Sequence, residues 1–268
     1  MSEPFPSAPQ AMPARVVVGV APLRREPRGD AMLDSEVLWG ETLNILEEDD
    51  EGWARVRLDR DGYVGHLPGS AILKGESPAA THRVATLGTF LYPDTSIKRP
   101  PVDRLSFGSP VGVRAIREVD GRAWALTEQG ALVAGHLVPI DAREADPVAV
   151  AERFLGVPYL WGGRSSLGID CSGLVQTALF ACGIAAPRDS GDQEKVLGVP
   201  VDLDPAAWRR GDLLFWPGHV ALVRDSETFL HANGHAMAVA IEGIAEGLAR
   251  IAAAGSPLRA VRRIVAAQ

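Results

Sequence analysis

The sequence predicts an α+β protein in which two small all-β modules precede one mixed domain that opens with helices and closes with antiparallel strands. Three observations predict it. Between residues 15 and 140, short apolar runs alternate with Gly, Asp and Pro clusters, the pattern of short strands. The same order of signals occurs twice in that span. Near Ala142 the pattern gives way to helical spacing, and strand-like runs return only after about residue 212. With 268 residues, 46% of them apolar, the chain can bury the cores this plan requires.

Met1–Ala14 carries four prolines, no basic start and no continuous apolar stretch, so residues 1–14 read as a disordered lead and not as a signal peptide. Residues 15–76 form the first module, with strands expected at Arg15–Val20, Thr42–Leu46, Trp53–Leu58 and Tyr63–Leu67. Residues 80–141 form the second, with strands expected at Gly108–Ile116, Gly121–Leu126 and Leu132–Leu137. Trp53 is echoed by Trp124, and Gly65-His66-Leu67 by Gly135-His136-Leu137, an internal repeat of about 70 residues. Counted back from the shared triplet, Tyr63 stands where the second module has Val133. A phenol there supplies a polar handle that an aliphatic side chain lacks.

Residues 145–268 form the third domain. Asp146-Pro147 pairs an N-cap with proline at the first helical position, and Gly156 and Pro158 stop the helix that follows. A longer helix runs from Cys171 to Gly183, and a short polar one follows Pro187-Arg188-Asp189-Ser190 through Val196. Strands are expected at Asp212–Trp216, His219–Arg224, Thr228–Asn233, Ala238–Glu242 and Ala260–Val265, with a helix at Ile244–Ala253.

A net charge of −7 with no basic run excludes nucleic acid and anionic membrane surfaces as partners. No stretch is long and apolar enough to read as a membrane span, and the expected location is the cytoplasm. The two cysteines, Cys171 and Cys182, lie on one helix roughly 16 Å apart, too far for a disulfide. The remaining histidines show no metal-ligand spacing, so neither metal nor cofactor is expected.

Chemistry concentrates at Cys171. A helix N-terminus presents unpaired N–H groups and the positive end of the helix dipole, so a thiolate there is expected to be stabilised and its pKa lowered. Such a nucleophile needs a base, and the base needs an orienting group. If Asp225-Ser226-Glu227 is a three-residue loop, Ala221 faces His231 across the ladder, and His219 and His231 become diagonal neighbours on one face. A two-residue loop would put them on opposite faces. Trp161, Trp208 and Trp216 are cleft or core residues by the sequence alone.

The ordered segments DCSGL at 170–174, APRDSGDQ at 186–193, GDLLFWPGHVALV at 211–223 and FLHA at 229–232 resemble the NlpC/P60 family of papain-like cysteine peptidases, over about residues 145–268. The β modules resemble bacterial SH3-like barrels. The resemblance implies Cys171 as nucleophile, His219 as general base and His231 as the orienting third residue. Two SH3-like modules ahead of such a domain resemble the branch that recycles cell-wall peptides, cleaving between γ-D-glutamate and the following diamino acid when the N-terminal L-alanine is free. Carried over by position, Asp189 receives the alanine ammonium, Ser190 and Ser172 lie beside the D-glutamyl part, and Arg188 serves charge balance. Tyr63 is the residue by which the first module closes the site beyond the alanine. The implied partner is a murein-derived peptide. Two alternatives remain: a secreted endopeptidase acting on intact wall, and a non-catalytic peptide-binding module.

Overall fold

The computed structural model describes residues 11–76 and 78–265, and the chain divides into two compact units that meet at Ile140/Asp141. Most of the lead, residues 1–10, lies outside the described residues. Its end does not behave as expected, because Met12–Val16 is already the first strand.

In the first unit, β1 (Met12–Val16), β2 (Val20–Arg24), β3 (Leu33–Leu38), β4 (Thr42–Glu48), β5 (Trp53–Leu58), β6 (Val64–Pro68) and β7 (Ile72–Lys74) form one sheet in the order β3-β2-β6-β5-β4-β1-β7. Period-two alternation turns Ala54, Val56 and Leu58 of β5 inward, and they join Val16, Leu23, Leu43 and Leu67 in a closed apolar core. The run read as one strand from Arg15 to Val20 is broken before β2. At Gly19 a Cβ would stand 2.3 Å from the carbonyl oxygen of Arg104, so only glycine fits.

The second module contains β8 (His82–Val84), β9 (Gly88–Leu91), β10 (Asp103–Ser106), β11 (Pro110–Val111), β12 (Ala115–Val119), β13 (Arg122–Leu126), β14 (Ala131–Val133) and β15 (Leu137–Pro139). Its ladders are β10-β9, β12-β13-β14 and β11-β8-β15, with a Tyr92–Ala131 bridge joining the first two. This repeats the strand order of the first module, with β11 and β12 together in the place of β4.

The repeat is real but its register differs from the expected one. Trp53 pairs with Pro68, and Trp124 with Val133, so Leu67 corresponds to Leu132 and not to Leu137. Gly65-His66-Leu67 lies in β6, whereas Gly135 and His136 belong to a 3-10 turn. The residue facing Val133 across the repeat is therefore Pro68. Residues 57–64 of the first hairpin have only Glu128 and Gln129 opposite them in the second. Tyr63 thus sits in a hairpin extension that the second module lacks.

The modules share a core. Trp39, which follows β3, packs with Val84, Leu91, Leu105, Val111 and Leu132 of the second module. The Gly19 N–H donates to Asp103 Oδ2 at 2.7 Å, and Gly40, at φ +76°, leaves its would-be Cβ 2.2 Å from the Pro110 carbonyl oxygen.

The second unit begins with α1 (Pro147–Glu152), capped by Asp146 accepting from the Val148 N–H. A small hairpin, β16 (Arg164–Ser165) and β17 (Gly168–Ile169), leads into α2 (Cys171–Ala181), and α3 (Ser190–Val196) follows. The strands β18 (Val199–Val201), β19 (Leu213–Trp216), β20 (His219–Val223), β21 (Thr228–Asn233), β22 (Ala238–Gly243) and β23 (Ala260–Arg263) form an antiparallel sheet in the order β18-β23-β19-β20-β21-β22. Helix α4 (Ile244–Ala253) lays Ile244, Leu248 and Ile251 against Leu214, Trp216, Ala221, Val223 and Phe229. Helix α2 contacts β20 and β21. The unit is α+β, as its sequence pattern requires.

Candidate active site

Two local structures meet at the start of α2. The first is the helix N-terminus itself. Asp170 caps it, its Oδ1 accepting from the Gly173 N–H at 2.7 Å, while Oδ2 accepts from the Gly162 N–H at 2.9 Å. Arg188, 2% exposed, grips both carboxylate oxygens at 2.9 and 2.7 Å and also donates to Ser172 Oγ and to the Gly163 carbonyl. Gly173 permits this packing, since a Cβ there would lie 2.4 Å from the Gly163 carbonyl oxygen. Gln193 of α3 donates to the carbonyls of Ser172 and Pro187, tying the third helix to the second.

The second structure is the hairpin that carries the histidines. Gly218 has φ +72° and follows Pro217, the residue order and backbone that a type II turn demands, and the turn sets Trp216 opposite His219. Beyond β20, Leu222 pairs with Leu230, Val223 with Phe229, and the Arg224 N–H donates to the Thr228 carbonyl, leaving Asp225-Ser226-Glu227 as the loop. That is the three-residue loop the histidine pairing requires. His219 Nε2 and His231 Nδ1 are 2.8 Å apart, with Trp216 tilted against His219 at 5.5 Å and Phe229 edge-on to His231 at 4.9 Å.

The sulfur joins the two. Cys171 is 6% exposed at the start of α2, a helix that packs against β20, and the backbone amides of Val220 and Ser172 act on its sulfur in favour of the thiolate. Those donors and the helix dipole favour a thiolate, but they do not prevail. Burial, seconded by the Asp170 carboxylate, pushes the thiol up to about 12. This corrects the expected lowering: the carboxylate that caps the helix also offsets its positive end beside the sulfur. Burial likewise pushes His219 down to about 4 and His231 to about 3. The resting site therefore holds a thiol and neutral imidazoles, and charge separates only when the proton moves.

Of the residues singled out by sequence, Cys171, Ser172, His219 and His231 converge here. Ser172 is buried and engaged with Asp170 and Arg188. Arg188 departs from its expected role beside the substrate: it is enclosed, and its donors hold the start of α2. Asp189 is exposed, and Ser190 opens α3. Tyr63 belongs to the first unit, where it packs against that module's core and its N–H donates to Asp61 Oδ1. Trp208 and Trp216 are core residues, and Trp161 is 60% exposed.

Four participants were missed. Asp170 carried a readable signal, an aspartate directly before a helix. Gln193 and Tyr159 had none. The Tyr159 phenol is pushed up to about 12 by burial and by the charges of Cys171 and Asp170, so it stays protonated within electrostatic reach of the sulfur. Glu242, whose Oε2 lies 3.2 Å from His231 Nε2, is placed by strand register, with His231 opposite Ala240 and Phe229 opposite Glu242. Among the described residues no group of three or more His, Cys, Asp or Glu is arranged to hold a metal ion, and no helix is long and apolar enough to cross a membrane.

Comparison with known proteins adds identity to this geometry. Residues 156–250 match the model of the NlpC/P60 family, and residues 23–72 match that of the bacterial dipeptidyl-peptidase SH3 domain. The chain is 30% identical to the dipeptidyl-peptidase 6 of Lysinibacillus sphaericus over 83% of its own length and 88% of the relative's. It is also 30% identical to the gamma-D-glutamyl-L-lysine dipeptidyl-peptidase of Bacillus subtilis, over 70% of this chain but 65% of that one. Its fold is that of an NlpC/P60 family protein from Bacillus cereus, with a TM-score of 0.77 at 21% identity over 95% of this chain and 100% of the other.

Proposed function

The chain belongs to the NlpC/P60 family of peptidases, and on that premise we propose that it is a cysteine peptidase that hydrolyses the bond between γ-D-glutamate and a diamino acid in murein peptides with a free N-terminal L-alanine. The observation that carries the reading is the sulfur of Cys171, enclosed at the start of a helix that packs against the strand opened by His219, whose imidazole is in turn paired with His231. The Bacillus subtilis relative, a gamma-D-glutamyl-L-lysine dipeptidyl-peptidase, supports the choice of bond.

His219 takes the thiol proton as the sulfur attacks the γ-glutamyl carbonyl carbon. The oxyanion that forms is met by N–H groups at the start of α2 and by the Tyr159 phenol. Collapse of the tetrahedral intermediate expels the diamino acid's amine, protonated by His219, and water then hydrolyses the thioester. The exposed Asp189 carboxylate at the start of α3 receives the alanine ammonium, with Ser190 and Ser172 beside the glutamyl group. To Tyr63 we assign, as the family resemblance implies, the selection of free peptides over intact wall, where the alanine nitrogen is acylated. Turnover of such peptides belongs in the cytoplasm, which cell fractionation checks.

The test is hydrolysis of L-Ala-γ-D-Glu-diaminopimelate and its lysine counterpart, each with free and acetylated N-terminus, by wild type and Cys171→Ala. Cleavage of the free peptides alone, lost in the variant, supports the reading. Equal cleavage of free and acetylated peptides indicates an open-ended wall endopeptidase, and no Cys171-dependent cleavage indicates a binding module.

A further inference from the structure

Two histidines joined by a single proton can share it in two ways, and only one of them leaves a base for the cysteine. With His219 Nε2 facing His231 Nδ1 at 2.8 Å, one of these nitrogens carries the hydrogen and the other accepts it. If His219 carries it on Nε2, its Nδ1 is bare and can take the thiol proton. Should His231 carry it on Nδ1, His219 must hold its own hydrogen on Nδ1 and is no base.

The choice is made on the far side of His231. Its Nε2 is buried, has no hydrogen-bond partner among the described residues, and lies 3.2 Å from Glu242 Oε2. A bare Nε2 would set its lone pair close to a carboxylate, whereas a protonated Nε2 brings a positive dipole to it. Arg250 of α4 clamps both oxygens of Glu242 at 2.7 Å and holds the carboxyl below its ordinary range, so the charge persists. The groups that act electrostatically on the pair are Glu242, Arg250 and Asp170, and His235 acts on Glu242.

We infer that Glu242, clamped by Arg250, is a positioning residue that keeps the hydrogen of His231 on Nε2 and thereby makes Nδ1 of His219 the nitrogen that takes the Cys171 proton. Its catalytic consequence rests on the peptidase reading; the tautomer assignment does not.

Nitrogen-15 spectra of histidine-labelled wild type at neutral pH are expected to show both His219 and His231 as Nε2–H tautomers. A His231 Nδ1–H tautomer overturns the inference, whether or not the protein cleaves any peptide. In Glu242→Gln the amide can donate to Nε2, so the His231 hydrogen is expected to shift to Nδ1. There kcat falls about 10- to 100-fold with KM little changed, the effect typical of a lost orienting partner. The carboxylate raises both imidazole pKa values, so the acid limb of the variant's profile moves to lower pH, for peptide cleavage and for alkylation of Cys171 by iodoacetamide alike. Glu242→Asp is expected to restore the tautomer. A folded Glu242→Gln with wild-type tautomers and an unmoved acid limb overturns the proposal. Wild-type spectra as expected without peptide cleavage would sink the peptidase reading alone.

Discussion

The two units of this chain bury polar groups in different patterns. In the first unit the buried charges are dispersed: Glu41 meets Arg60, and Glu36 and Arg83 lie at separate positions around apolar cores. In the second, Asp212 paired with Arg263 stands apart in the same way, but Cys171, Asp170, Ser172, Arg188 and Gln193 crowd the start of one helix, and His231 lies behind His219 beside it. Burying polar groups costs free energy unless they are mutually satisfied, so a fold that gathers them at one place does so for chemistry there. Dispersed pairs serve packing. The first unit is organised as a rigid β platform, and the second as a scaffold for one site.

The largest effect that separates the two is removal of the sulfur. Cys171→Ala should lower peptide hydrolysis by at least about four orders of magnitude while leaving both thermal transitions near their wild-type values, because nothing else in the site acts as a nucleophile. Residual Cys171-independent turnover above that level would contradict the comparison at its root. Asp170→Asn comes next. It leaves the buried Arg188 without its counter-charge, and the second unit should lose about 3–5 kcal/mol, read by calorimetry as a shift of one transition only.

Acid should also distinguish the units. His219 and His231 titrate near 4 and 3 in the folded unit and near 6.5 unfolded, so unfolding takes up protons between those values. Stability from this source is complete above about pH 6.5 and is lost as pH falls toward 4. In the same window His219 stays a base, so kcat/KM should keep its plateau down to about pH 4. An acid limb centred near 6.5 would mean that the imidazole is solvated in the working enzyme.

Gly40→Ala tests the platform. A side chain at φ +76° against the Pro110 carbonyl should cost the first unit about 1–3 kcal/mol and melt both modules together, since Trp39 links their cores. Separate melting of the two modules would show that the shared tryptophan does not couple them. The smallest expected effect is that of Tyr63→Phe, a rise of about 3- to 10-fold in KM for the free peptide with unfolding unchanged. An unaltered KM would leave the first unit without a part in substrate selection.

Much of this was legible in the chain before folding. Hydrophobic periodicity placed α2, α4, β5 and β21, because period and burial are the same property seen in one dimension and three. The sequence left the loop at Asp225 as two or three residues, and the strand pairing of Leu222 with Leu230 decided for three and put His219 and His231 on one face. Conversely, the Gly-His-Leu echo misaligned the modules, since a shared triplet says nothing about the length of the hairpin before it. The family resemblance gave Arg188 a part in charge balance at the substrate, and only its enclosure against Asp170 revealed a structural cation.

By itself, then, the sequence determined the strand and helix order and the nucleophile's place at a helix start, and it narrowed the histidine pairing to one loop length, all set by local spacing. Tertiary structure decided the rest: the protonation of Cys171, the enclosure of Arg188, the sharing of Trp39 and the approach of Glu242 to His231. Each depends on which distant segments exclude water from a group and which charges they bring to it, and neither is written in the spacing of residues along the chain.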